Sequence, residues 1–166
     1  MPQRAGDNVR PPSAHFPPTW VSGTSAEVPF AWNDADADVY QVGATEVLLW
    51  RPTERFIITR LKGQATLGAL QFYMARAERE MSLGRLTVFH EWAEMAGYEP
   101  AARDELKRWG KQYNDAFDHV EYLVRSKVVA MLISVAALTL GRDLHATTDE
   151  VQFLDDMFRM LEQRGL

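Results

Sequence analysis

The fold is decided by residues 85–124, which read RLTVFHEWAEMAGYEPAARDELKRWGKQYNDAFDHVEYLV. The segment begins with an apolar run over 85–89 that is typical of a buried strand, and it ends with a second run of this kind over 119–124. Between them, Pro100 follows a polar loop over 90–99. Proline favours the first turn of a helix, because the backbone N–H that it lacks would have no acceptor within the helix at that position. Two strands joined by a helix form a right-handed crossover, so this segment predicts two parallel strands.

The residues before this unit show two kinds of apolar periodicity, one typical of a helix and, earlier in the chain, one typical of strands. Apolar residues at steps of three and four predict a helix over 65–81. Before it, strands over 45–50 and 56–61 are joined by a turn over 51–55 that contains a proline, which predicts a hairpin. A further extended segment over 39–42 precedes the hairpin.

Downstream, the alternation of strands and helices continues to the end of the chain. Ser126 is placed to cap a helix over 127–140, and a short strand over 144–147 follows. A capping box that begins at Thr147 or Asp149 starts the last helix. The whole order predicts an α/β domain with a mixed, mostly parallel sheet, an N-terminal hairpin and crossover helices.

A change of composition near residue 38 divides the chain into a tail over 1–37 and a domain over 38–166. Six of the eight prolines lie before residue 30, and proline removes backbone donors and blocks helix formation, so we expect a disordered or extended tail. Large aromatic side chains are costly to leave in water, so those of the tail either pack on the parent domain or dock on a partner. The candidates for docking are Trp20, Phe30 and Trp32.

Composition excludes several classes of protein. The net charge is −5 at pH 7, which argues against binding to nucleic acid, since that requires a basic surface. The chain has no cysteine, which excludes disulfides, thiolate zinc sites and a cysteine nucleophile. The longest apolar stretch, over 128–140, is too short to span a bilayer, and the first residues do not form a signal peptide. We therefore expect a cytoplasmic protein.

Several stretches of the domain carry a resemblance to a known family. They are RLKG at 60–63, VFHEW at 88–92 followed by GYEPAAR at 97–103, and VRSKVVAM at 124–131. With the order of strands and helices, these stretches resemble the STAS and anti-sigma-factor-antagonist family in its SpoIIAA-like branch. The resemblance implies a small bacterial α/β domain that lacks catalytic activity and acts through protein–protein contact.

The resemblance does not extend to a phosphorylation switch. Switched members of the family carry Ser or Thr at the start of the helix after the third core strand, whereas residues 91–100 contain neither. Tyr98 is the only hydroxyl in that region, and Ser126 is the nearest hydroxyl at a comparable helix start, on a different helix.

A regulatory or scaffolding role through protein contact is the first functional hypothesis. Exposed aromatic side chains dominate the energy of interfaces, so Trp92 and Tyr98 are the expected anchors. The predicted interaction surface comprises Trp92, Glu94, Tyr98, Arg103, Lys107, Ser126 and Met131.

The helix predicted over 127–140 leaves two further possibilities open. It is apolar almost all round, whereas a helix on one face of a sheet keeps a polar stripe. Its excess apolar surface suits either a homodimer or partner contact, or a carrier of a small apolar ligand or lipid. In the carrier hypothesis, the pocket is lined by Met74, Leu132 and Val135.

The chemistry-bearing residues are few. His90, Glu91 and Glu94 form the densest polar cluster, but a zinc motif needs a second histidine one helical turn away. A His90–Glu acid–base pair would make a small hydrolase or isomerase, which is the second alternative. His119 and His145 are pH-sensitive groups or satisfied surface histidines. The sequence predicts no catalytic residue, no metal ligand and no cofactor.

Overall fold

The computed structural model describes residues 37–131, 133 and 143–165. The predicted tail lies almost wholly outside these residues, and so do Trp20, Phe30 and Trp32. Ala37, the first described residue, is buried and starts the first strand. Of the helix predicted over 127–140, only 127–131 and 133 are among the described residues.

Three antiparallel strands open the domain, and they include the predicted hairpin. They are β1 (Ala37–Val42), β2 (Thr45–Thr53) and β3 (Phe56–Ala65). The predicted turn over 51–55 is shorter than expected, because Pro52 lies inside β2, where a register irregularity between Trp50 and Thr53 tolerates its missing donor. The chain reverses at Arg55, which adopts a positive φ of 58°.

Crossover helices then link the parallel strands. Helix α1 (Leu67–Met81) leads to β4 (Leu86–Glu91) and the short β5 (Met95–Tyr98), and α2 (Pro100–Gln112) leads to β6 (Phe117–Leu123). Helix α3 starts at 127 and is described over 127–131 and at 133; β7 (Leu144–Thr147) and α4 (Glu150–Glu162) follow it.

The strands lie in the order β1-β2-β3-β4-β6-β7, with β5 paired to β3 beside this path. The pairs β3–β4, β4–β6 and β6–β7 are all parallel. This confirms the predicted fold class, a mixed and mostly parallel sheet with an N-terminal hairpin. Every helix in the described part of the chain is too short or too polar to cross a bilayer.

The helix starts follow local capping chemistry. Thr66 caps α1 by accepting from the Ala69 amide, so the helix begins at Leu67 and not at 65, where the chain still belongs to β3. Ser126 accepts from the Val129 amide, and Asp149 accepts from two amides of α4, as predicted.

The predicted loop over 90–99 contains more regular structure than expected. His90 and Glu91 are the last residues of β4, and the strand β5 lies beside the end of β3. Gly63 is the register partner of Met95 in this pairing, and no larger residue fits there, because its φ is +79° and an added Cβ would lie 2.4 Å from the Ala44 carbonyl oxygen. Helix α2 ends at Gln112, and β6 starts at Phe117, two residues before the predicted run over 119–124.

The sheet is buried on both faces, as a parallel sheet requires. One face packs against α1 and α2 through residues that include Ile57, Leu61 and Val88. The other face packs against α4 around Phe89 and Phe153, whose ring centroids are 5.5 Å apart.

A buried ion pair joins β3 to β4. Arg60 and Glu91 are register partners, and Arg60 Nε lies 3.2 Å from a Glu91 carboxylate oxygen. Neither atom has a well-angled hydrogen-bond partner. Burial raises the pKa of Glu91 to about 7, although Arg60 opposes this shift.

Glu91→Gln is expected to change how stability depends on pH. The native pKa of about 7 lies above the ordinary glutamate pKa of 4.5 in an unfolded chain, so the native state holds more protons between these two values. The contribution of Glu91 to stability is complete below pH 4.5 and is lost as the pH rises through 7. Glutamine does not titrate, so the variant gains up to about 3 kcal/mol relative to wild type across this window. Urea unfolding at steps of pH measures the difference, and parallel curves for the two proteins would contradict it.

Candidate ligand-binding cavity

A cavity of about 680 Å³ lies between the sheet, α2 and the start of α3. Its walls are mostly apolar and aromatic. The sheet contributes Ala65, Phe117, Val120, Tyr122 and Leu144, α1 contributes Leu70 and Tyr73, α2 contributes Leu106 and Trp109, and α3 contributes Val129 and Ile133.

His90 lies at the centre of an aromatic cluster in the wall of the cavity. Its ring centroid is 4.9 Å from that of Tyr73, 4.6 Å from that of Trp92 and 4.6 Å from that of Tyr122, on which it stacks. The side chain is almost fully buried. The imidazole is therefore part of a packed wall that faces the cavity.

A chain of hydrogen bonds fixes the state of His90. Trp92 Nε1 donates to Thr59 Oγ1 over 3.1 Å, and the Thr59 hydroxyl lies 2.6 Å from His90 Nδ1. The hydroxyl therefore links the Trp92 indole to His90 Nδ1, and this ring nitrogen is occupied in either neutral tautomer. Burial lowers the pKa of His90 to about 3, so the ring stays neutral near pH 7.

Three cationic side chains of α2 lie along one side of the mouth of the cavity. Arg103, Lys107 and Lys111 lie at steps of four on α2, all are exposed, and all three line the cavity. Among the described residues, neither lysine has a carboxylate within ion-pair distance. Tyr98 lies beside them, with its ring centroid 5.8 Å from the Arg103 guanidinium carbon. The mouth is therefore positive, although the whole chain is acidic.

Trp92 does not have the exposure predicted for an anchor of protein contact. Only 8% of its surface is exposed, because its ring packs on His90 and Tyr122 and its indole N–H binds Thr59. Trp92 does lie in the connection that follows β4, as the predicted loop over 90–99 implies, but its side chain faces the core. Tyr98, by contrast, is 51% exposed.

The other residues of the predicted interaction surface are spread over three places. Glu94 pairs with Lys62 and Arg60 beside β3, while Arg103 and Lys107 lie at the mouth of the cavity. Ser126 caps α3, and Met131 is exposed on that helix. Whether these residues contact a partner stays a prediction.

Of the residues predicted for an apolar pocket, only Met74 is among the described residues. Met74 is a residue of α1 that is buried in the core, and it does not line the cavity. Leu132 and Val135 lie outside the described residues. The prediction missed Tyr73, Tyr122 and Lys111, although the apolar–aromatic alternation of Val120 and Tyr122 along one strand was a usable signal.

The hypothesis of a His90–Glu91 acid–base pair is wrong. His90 binds Thr59 on the cavity face of the sheet, while Glu91 pairs with Arg60. Adjacent strand residues point to opposite faces, which separates the two side chains. Glu94, the other acid considered, pairs with Lys62.

Trp92→Ala is expected to destabilise the fold. Removing a buried indole from the aromatic cluster leaves a cavity and a Thr59 hydroxyl without its donor, so the free energy of unfolding should fall by about 3–5 kcal/mol. Tyr98→Ala is the matched control, because its ring is half exposed and its loss should cost under about 1 kcal/mol. Urea unfolding monitored by circular dichroism compares the two. An unchanged midpoint for Trp92→Ala would contradict the burial described here.

Two solved structures are similar to this chain, and the first of them supports a shared fold. A protein of the DUF3478 family from Shewanella loihica PV-4, described as having a SpoIIAA-like fold, matches with a TM-score of 0.54 and 11% identity, over 73% of this chain and 91% of that chain. The anti-sigma factor antagonist SpoIIAA in its unphosphorylated form matches with a TM-score of 0.47 and 13% identity, over 74% and 97%. No family model and no curated protein matches the sequence. The domain has a SpoIIAA-like fold, which confirms the predicted resemblance in its architecture.

Proposed function

We propose that this protein binds a small amphiphilic molecule, with an apolar body and an anionic end, in the cavity between the sheet and α2. The observation that carries the proposal is the combination of an apolar cavity of about 680 Å³ with three cationic side chains at its mouth. This volume is within the range of about 300–1,000 Å³ that is typical of small-molecule sites.

The cavity interior favours an apolar ligand body. Its walls include Leu70, Leu106 and Val120, and burial of apolar surface contributes roughly 25 cal/mol per Å². His90 is neutral, so it supplies at most one N–H donor and no charge. A charged group at this depth would lose its hydration without gaining a counterion, which disfavours a ligand that is ionic throughout.

The mouth favours an anionic end. A carboxylate or phosphate placed there would face Arg103, Lys107 and Lys111, and the two lysines have no competing carboxylate among the described residues. Guanidinium and ammonium groups form charge-assisted hydrogen bonds to these anions. The ligand would therefore enter with its apolar end first.

Binding without turnover agrees with the state of His90. A general base works best with a pKa near the working pH, whereas burial holds the pKa of His90 at about 3. Its Nδ1 atom is already occupied by Thr59. These features support the role of a carrier or ligand-responsive domain.

The test is displacement of a fluorescent fatty acid from the full chain, together with native mass spectrometry of the purified protein. The double variant Lys107→Glu/Lys111→Glu is expected to bind this probe about tenfold more weakly, since it reverses both unpaired charges. Arg159→Glu is the control, because Arg159 is equally charged and exposed but lies on α4, across the sheet. Leu106→Trp, which fills the cavity, should abolish binding. Binding of the probe that survives Leu106→Trp, or no binding to wild type, would contradict the proposal.

A second candidate function is protein contact through α3. Val128 and Met131 are 61% and 59% exposed, and their spacing places both on one helix face. Exposed apolar side chains of this size favour a partner, and a second copy of the chain presents the same patch in return.

Self-association through α3 is expected to depend on this patch. Sedimentation equilibrium of wild type should show dimers, and Val128→Glu/Met131→Glu should shift the protein to monomers because it places charges in the contact. Val151→Glu is the matched control, since Val151 is also 61% exposed but lies on α4. A wild type that stays monomeric at all concentrations would exclude this contact.

A further inference from the structure

A second polar cluster lies on the opposite face of the sheet from the cavity. It contains His119 and Glu121 of β6, with Asp143 and His145 at the start of β7. Val120 and Tyr122 of the same strand line the cavity, so alternation along β6 directs His119 and Glu121 to the other face. The contact between His119 and Phe89, with ring centroids 5.4 Å apart, places the cluster beside the core under α4.

Three potential metal ligands converge in this cluster. His119 Nδ1 lies 3.0 Å from an Asp143 carboxylate oxygen, and His145 Nε2 contacts the other oxygen of the same carboxylate. The ligand atoms of His119, Asp143 and His145 all lie within 4.8 Å of one another. The two imidazole rings stack with their centroids 5.2 Å apart.

Glu121 orients His119 for this purpose. Its carboxylate is 3% exposed and lies 3.0 Å from His119 Nε2, so it accepts the proton that Nε2 carries. The lone pair of a neutral His119 is then on Nδ1, where it faces the acceptor oxygens of Asp143. Either a proton or a metal ion can lie between His119 Nδ1 and the Asp143 carboxylate, and a buried carboxylate behind a ligating histidine is the usual supporting arrangement at metal sites.

We propose that His119, Asp143 and His145 bind a divalent transition metal ion, with Zn²⁺ as the natural candidate, and that Glu121 is the residue that positions His119. Two imidazole nitrogens and one carboxylate oxygen suit Zn²⁺ and its neighbours, whereas Ca²⁺ and Mg²⁺ prefer oxygen ligands throughout. Three protein ligands leave one tetrahedral position open for water or an anion.

The backbone holds the ligands in place. Glu121 and His145 are register partners in the parallel β6–β7 pair, and the Val120 amide donates to the Asp143 carbonyl over 3.0 Å. His119 and His145 therefore belong to two hydrogen-bonded strands, and Asp143 directly precedes β7 and is held against β6 through its own carbonyl. The proposal is independent of the cavity, with which the cluster shares no residue.

The test is isothermal titration calorimetry of ZnCl₂ into full-length protein. This protein carries no polyhistidine tag and has been treated with EDTA to remove bound metal ions. We expect one ion per chain, and a visible absorption spectrum of four-coordinate Co²⁺ when Co²⁺ replaces Zn²⁺. His145→Ala should weaken binding at least a hundredfold without loss of the fold, because the side chain is 58% exposed. Glu121→Gln should weaken binding by roughly 10- to 100-fold.

Two control variants distinguish binding at this site from non-specific metal binding. Asp118→Asn removes an exposed carboxylate from the same strand and should leave the affinity unchanged. His15→Ala removes a histidine of the N-terminal segment and should also change nothing. Zn²⁺ binding that is equally tight in His145→Ala, binding lost in His15→Ala, or a preference for Mg²⁺ would overturn the proposal.

Discussion

The parallel register of β3, β4 and β6 is the constraint on which both candidate sites depend. It pairs Thr59 with His90 and Arg60 with Glu91. Within β4, His90 therefore lies on the cavity face of the sheet, and Glu91, the next residue, lies on the opposite face beside Arg60. A shift by one residue would exchange these side chains between the faces of the sheet. It would also bring Arg60 beside the aromatic cluster and remove the Thr59 hydroxyl from His90. The buried hydroxyl and the buried ion pair therefore specify one alignment among those that apolar contacts alone would allow.

Strand β6 connects the two sites because its alternate residues serve different faces. Tyr122 belongs to the cavity wall and stacks on His90, whereas Glu121 supports His119 on the α4 side. The two faces offer different chemistry. The cavity side is aromatic and contains a neutral imidazole, while the α4 side brings two imidazoles to one exposed carboxylate. A single central strand can hold both environments because a buried parallel strand presents two independent rows of side chains.

Local patterns predicted the architecture, and non-local contacts account for what they missed. The crossover order, the Ser126 cap and the Asp149 cap follow from periodicity and from residues within one turn of each other. The exposure of Trp92 was predicted wrongly because its burial depends on contacts with Thr59 and Tyr122, far away in sequence. The cavity is a gap between elements and has no sequence motif of its own. The pairing of His119 with Asp143 needs the β6–β7 register, although two histidine–carboxylate pairs at spacing two were a visible signal.

Gly63 shows how a residue outside the cavity controls its wall. Its amide donates to the Glu94 carbonyl, and its positive φ lets the hairpin approach so closely that a Cβ would meet the Ala44 carbonyl oxygen. Any larger residue would clash with the Ala44 carbonyl in the turn between β1 and β2 and would displace this part of β3, with which β5 pairs; β5 carries Met95 and Tyr98, which line the cavity. Loss of ligand binding in a mutational scan therefore does not by itself identify a contact residue. In this domain it also reports on the backbone geometry that brings the wall into position.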